Sequence, residues 1–219
     1  MKYLKPSLII NCIIVFLVTL GSIFMFTGFR FMPSETLLES TKLGMFKFYT
    51  VDSNILAGII SLVFVIFEIK LMKGKIKEIP KIIYNLKLMA TAGITLTFIV
   101  TAIFLAPMYG FYAMYNNTNL FFHLFVPVLS MITFICFENY DNKYKYAFYG
   151  MIPMMIYSVY YTTNILLHLE NGKPTIEYDF YWFLQGNVNN IYFVIPVLYL
   201  VAYLISILTI FLNKKVLNK

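Results

Sequence analysis

The sequence predicts an all-α integral membrane protein, a bundle of six transmembrane helices. Three observations predict it. Hydrophobic residues make up 60% of the chain and charged residues only 12%, where soluble domains hold roughly 45–50% and about 25%. The apolar stretches run about 20 residues or longer, the length an α-helix needs to cross ~30 Å of hydrocarbon. The period-2 alternation of a membrane β-barrel is absent.

Apolar windows place the spans at about residues 7–29, 48–69, 82–105, 119–137, 147–169 and 190–212. The first runs from Ser7 to Phe29 without a small-residue cleavage site, so it reads as a retained helix rather than a signal peptide. The second opens on the polar run "KFYTVDSNIL". The third follows "KGKIKEIPK" and carries Lys87 level with Glu68, a lysine expected to snorkel or to be ion-paired. The fourth starts near Asn119 after the break "APMYG", the fifth follows "ENYDNKYK", and the sixth follows "ENGKPTIEYD". No internal repeat divides the chain, so residues 1–219 form a single membrane domain.

Orientation follows from Lys and Arg in the short loops. With both termini cytoplasmic, twelve basic residues flank the spans inside and four outside (Arg30, Lys42, Lys47 and Lys173). The net charge of +7 is thus the basic side of a multi-pass plasma-membrane protein, and nucleic acid is not an expected partner. Cys12 and Cys136 lack metal-ligand spacing and read as small buried hydrophobes. No metal or cofactor is expected.

Polar groups in hydrocarbon are costly and mark function. On this topology Thr50 lies just below the outer surface, His123 at a matching depth on the fourth span, and His168 slightly shallower at the end of the fifth. Thr50, Ser53 and Asn54 share one helix face, while Asp52 points about 200° away from Thr50. Tyr157, Tyr161, Asn164 and His168 form a stripe rising to the outer surface. The loop "YDFYWFLQGN" then brings Trp182, as a pocket cap or an interfacial anchor. A threonine hydroxyl needs a neighbouring base to become a nucleophile, and imidazole, with an ordinary pKa of about 6.5, suits that task. Thr50 with His123 is therefore the minimum for acyl transfer, with His168 or Asp52 available to orient His123. Asn54, Asn119 and the tyrosines are candidate oxyanion donors.

At these residues the chain resembles the bacterial six-span Pr-six-Pr membrane proteins. Those are similar to the androgen-induced-gene-type hydrolases of animals, which cleave esters of hydroxy fatty acids. The resemblance rests on "FYTVDSNIL", "TAGITLTFIVTAIFLAP", "NLFFHLFVPVLSMITFICFE" and the aromatic "YDFYWFL", in that order. It departs from the bacterial relatives at Phe180 and Trp182, where prolines are expected, and at Asp52. It implies a threonine nucleophile at Thr50 and a histidine partner at His123. The expected function is hydrolysis or acyl transfer on a lipid or amphiphilic ester, drawn from the bilayer into an outer-leaflet pocket. The alternative is a substrate-capturing membrane subunit or small transporter using that pocket. The first span lacks the small-residue docking pattern such subunits use.

Overall fold

The computed structural model describes residues 3–33, 40–140 and 143–217; Lys2 and Lys219 of the inner basic set lie outside the described residues. Among these residues all named elements are helical. Five helices are long and apolar enough to cross a membrane: Leu4–Thr27 (α1), Tyr49–Met72 (α2), Lys81–Tyr109 (α3), Asn117–Phe137 (α4) and Val188–Leu217. The protein is a multi-pass membrane protein. Between α4 and the last of these lies α5, Ile152–Leu167, only 16 residues long and preceded by an eight-residue 3₁₀ segment, Tyr144–Met151. The final α-helix, α6, is Ile191–Leu217.

The stretch predicted as one helix over residues 147–169 therefore divides in two, for a local reason. Pro153 occupies the first turn of α5, where its missing N–H costs nothing. Just before it, a Cβ on Gly150 would lie 1.8 Å from Ser206 Oγ and 2.7 Å from Ala92 Cβ. Bare backbone lets the tight 3₁₀ segment press against both α3 and α6.

Helix α1 buries a single stripe, Ser7, Asn11, Ile14, Val18 and Gly21. The alternating steps of four and three residues make a coiled-coil-like seam, which packs on α2 and α4. Cys12 falls off this seam and is exposed, and Cys136 is half-buried, so neither is the buried hydrophobe expected. The helix ends in a Schellman motif. Gly28, at φ 75°, donates to Met25 O, Phe29 donates to Phe24 O, and the Phe24 and Phe29 rings close the turn at 4.8 Å.

Helix α3 is the central column, touching α2, α4, α5 and α6. Every residue from Ala90 to Thr97 is buried. The run "ATAGITLT" is small on most sides, and small side chains let neighbouring backbones approach where lipid offers no hydrophobic drive. Lys87, on the same helix, is 1% exposed and does not snorkel. It donates to Asn11 Oδ1 of α1 and to Ser61 Oγ of α2.

Helices α3 and α4 each contain one π turn, Thr101–Leu105 and Phe121–Phe125, and each turn is followed two residues later by a proline, Pro107 and Pro127. In α4 the Val126 N–H reaches back five residues to Phe121 O. The Phe122 carbonyl, its α-helical partner, is thereby released to a side chain from α2. Such π turns concentrate at functional sites, and these two meet at one small cavity, through Leu105 and His123.

Candidate functional site

The N-terminus of α2 organises the site. Its cap residue, Phe48, has no capping side chain, which leaves the first N–H groups of the helix to be satisfied from elsewhere. The phenol of Tyr181, on the loop between α5 and α6, does this. Its oxygen accepts the Tyr49 N–H at 2.9 Å, with Thr50 and Tyr157 close enough to act on it; the Tyr157 hydroxyl itself donates to Lys47 O at 2.6 Å. Burial pushes the Tyr181 phenol up to about 12, so it stays protonated and neutral throughout the physiological range.

Thr50 and His123 line one small cavity of about 20 Å³, together with Phe48, Met114, Asn119 and Tyr181. A second cavity of about 30 Å³ lies on the other side of Thr50 and Tyr181, against Thr97, Thr101, Tyr157 and Phe183. Each has room for about one or two waters. His123 sits in the π turn of α4, 5% exposed. Its Nδ1 is 2.6 Å from Met114 O. A carbonyl only accepts, so Nδ1 carries the hydrogen and Nε2 of the neutral ring keeps its lone pair.

Around this pair the other polar residues hold backbone. Ser53 Oγ shares a hydrogen bond with Thr97 Oγ1 at 2.8 Å. Asn54, fully buried, donates to Thr50 O at 2.7 Å and to the released Phe122 carbonyl at 3.1 Å. It thus ties the nucleophile candidate's backbone to the turn that carries His123. Asn119 lines the cavity and donates to Ala113 O at 3.4 Å.

The loop lid is built on Asp179. Tyr161 donates its hydroxyl to Asp179 Oδ1 at 2.5 Å, Phe183 N–H to Oδ1 at 3.0 Å, and Leu184 N–H to Oδ2 at 2.9 Å. Wrapping residues 179–184 around one carboxylate turns Tyr181 inward. Trp182, in the left-handed region at φ 58°, is left half-buried outside the cavities. Burial raises the Asp179 carboxyl above its ordinary range, against these hydrogen bonds, which pull it back.

No family model, curated protein or solved structure matches this chain.

The predicted residues therefore separate into groups. Thr50, His123 and Asn119 meet at one cavity, Tyr157 lines the neighbouring one, and Ser53 and Asn54 brace the backbone between them. Tyr161 anchors the lid from below. Asp52 is directed away, into a lateral apolar groove of about 390 Å³ between α2 and α5, with Leu56, Ile156 and Tyr160. His168 is exposed, stacked on Tyr178 at 4.0 Å and bonded through Nδ1 to Asn164 O. Neither Asp52 nor His168 orients His123; the Met114 carbonyl does. Asn164 and Trp182 line neither cavity. Tyr181 and Asp179 are not among the predicted residues, although an acid two residues before a tyrosine in an aromatic loop is a visible signal.

Proposed function

We propose that the protein is an intramembrane hydrolase or acyltransferase acting on a lipid or amphiphilic ester, with Thr50 as nucleophile and His123 as base. One observation carries the reading. A hydroxyl and an imidazole with a free Nε2 lone pair, from two different helices, line one small cavity at the N-terminus of a helix.

In this reading His123 Nε2 takes the Thr50 proton as Oγ1 attacks the acyl carbonyl. The Tyr49 N–H, now on the Tyr181 oxygen, and the neighbouring Thr50 N–H receive the developing oxyanion. The imidazolium then protonates the leaving alcohol, and water or a second alcohol releases the acyl group from Thr50. Tyr181 leaves its position for this to happen, because cavities of about 20 and 30 Å³ admit no acyl group. The lateral groove between α2 and α5 holds the acyl chain, with Tyr49 and Tyr157 as the wall between groove and cavity.

The same reading gives a plasma-membrane protein with six spans and cytoplasmic termini. The 3₁₀ segment of about 2.0 Å rise per residue and α5 at 1.5 Å together reach about 40 Å, enough for the remaining crossing. Substrate capture without chemistry is the competing function, and one experiment separates them. A lipophilic fluorophosphonate is applied to the purified protein and to Thr50→Ala and His123→Ala. Adduct on Thr50 in the wild type alone supports the hydrolase; absence of labelling in all three folded proteins sinks it.

A further inference from the structure

The lateral groove between α2 and α5 carries one carboxylate for which its walls supply no counter-ion. Asp52 lines it with Tyr49, Leu56, Ile156, Tyr157 and Tyr160, and no lysine, arginine or histidine does. Among the described residues Asp52 has no hydrogen bond and no ion pair. The Ser53 hydroxyl on the same wall is committed to Thr97 Oγ1 and Thr50 O. The Tyr49 and Tyr157 hydroxyls donate to the Gly93 and Lys47 carbonyls. Lys47, the nearest lysine in sequence, lays its ammonium over the Phe48 and Phe180 rings at 5.1 and 5.3 Å. The positive end of the α2 dipole favours an acid in this first turn, but its effect is modest. A carboxylate left beside lipid is costly and marks a task.

The groove is large enough for a ligand. Its volume of about 390 Å³ falls within the pocket range of about 300–1,000 Å³. Asp52 stands one turn before Leu56 on α2, and Tyr160 one turn after Ile156 on α5. Each wall therefore has a polar turn and an apolar one. The Tyr49 and Tyr157 rings lie 5.2 Å apart and the Tyr157 and Tyr160 rings 5.9 Å apart. A carboxylate beside several π faces is the chemistry that holds an organic ammonium. The apolar turns, with Ile156 exposed, offer a surface to a hydrocarbon chain.

We propose that this groove selects a cationic amphiphile, a hydrocarbon chain bearing an organic ammonium, with Asp52 as its counter-ion and the tyrosine rings around it. On the hydrolase reading, in which the groove holds the acyl chain and on which this assignment rests, the substrate is a lipid ester carrying a positive charge.

The probe is a hexadecyltrimethylammonium with a mid-chain diazirine, and its uncharged counterpart is the diazirine alcohol of the same chain length. Both are photo-cross-linked to the protein in dodecyl maltoside, at equal mole fraction in the micelle. The ammonium probe labels the α2 and α5 peptides about fivefold or more above the alcohol; Asp52→Asn abolishes that preference, and Thr50→Ala leaves it unchanged. Equal labelling by the two probes, or an undiminished preference in Asp52→Asn, overturns the proposal. If Asp52→Asn does not fold, Tyr160→Leu at an exposed position decides: a several-fold smaller preference supports the site and an unchanged one refutes it. Fluorophosphonate labelling of Thr50 is scored separately. A cation preference without it discards the hydrolase and keeps the site; the converse keeps the hydrolase and discards the cationic substrate.

Discussion

The hydroxyl oxygen of Tyr181 accepts the backbone N–H of Tyr49 at 2.9 Å across 132 residues of sequence. One phenol thereby caps α2 and closes the lid over Thr50. Lid position and the integrity of the first turn of α2 are coupled through this bond.

Tyr181→Phe removes the cap and keeps the ring. Loss of an N-cap costs about 1 kcal/mol, so the thermal midpoint in detergent falls modestly. With the plug oxygen gone, fluorophosphonate labelling of Thr50 becomes faster than in the wild type. Slower labelling at unchanged stability would show that the phenol assists the chemistry rather than blocking it.

Asp179→Ala removes the acceptor for Tyr161 and for two backbone N–H groups. Leaving such donors unpaired costs about 1–3 kcal/mol each when buried. The expected outcome is rapid proteolysis within residues 168–190 while the helical circular dichroism is retained.

Pro127→Ala restores the N–H that the π turn of α4 lacks. Relaxation toward regular α-helix re-engages the His123 and Phe122 carbonyls and rotates His123 away from Thr50. Thr50 labelling should drop at least tenfold with little loss of thermal stability, and an unchanged rate would separate the π turn from the site.

Gly150→Ala places a methyl where Ser206 Oγ and Ala92 Cβ already stand. Overpacking of this kind costs about 1–3 kcal/mol or more. The comparison is Gly58→Ala, whose Cβ meets only the Val18 side chain at 2.7 Å. Thermal unfolding should rank Gly150→Ala as the more damaging.

Lys87→Met removes the cation from the buried cluster of Glu68, Lys87 and Glu138 and leaves the two carboxylates facing each other's charge. Breaking a buried charge network in this way costs about 3–5 kcal/mol. Adding Glu68→Gln should recover part of that loss, and a coupling energy below about 0.5 kcal/mol in the double-mutant cycle would show that the two do not interact.

The membrane class and the rough limits of most helices follow from the sequence alone, because the bilayer imposes a length and an apolar content that any single span displays without its neighbours. That Thr50 and His123 line one cavity was legible for a related reason: consecutive helices alternate in direction, so height along the bundle is read by counting residues. Rotation about each helix axis is not read that way. Asp52 and His168 are expected at suitable depths yet face the lateral groove and the surface, and of the polar stripe predicted on α5 Tyr157 lines the cavity beside Thr50 while Asn164 and His168 line neither small cavity. Packing around α3 sets those rotations. Pro107 and Pro127 stand in plain view, but a missing N–H does not announce whether a helix kinks, breaks or widens into a π turn; the Asn54 side chain that takes the released Phe122 carbonyl comes from another helix. The buried polar cluster at the other end of the bundle was hidden for the same reason. Ser7 and Asn11 of α1, Glu68, Lys87 and Glu138 come from four separate segments, and only the tertiary fold brings them together.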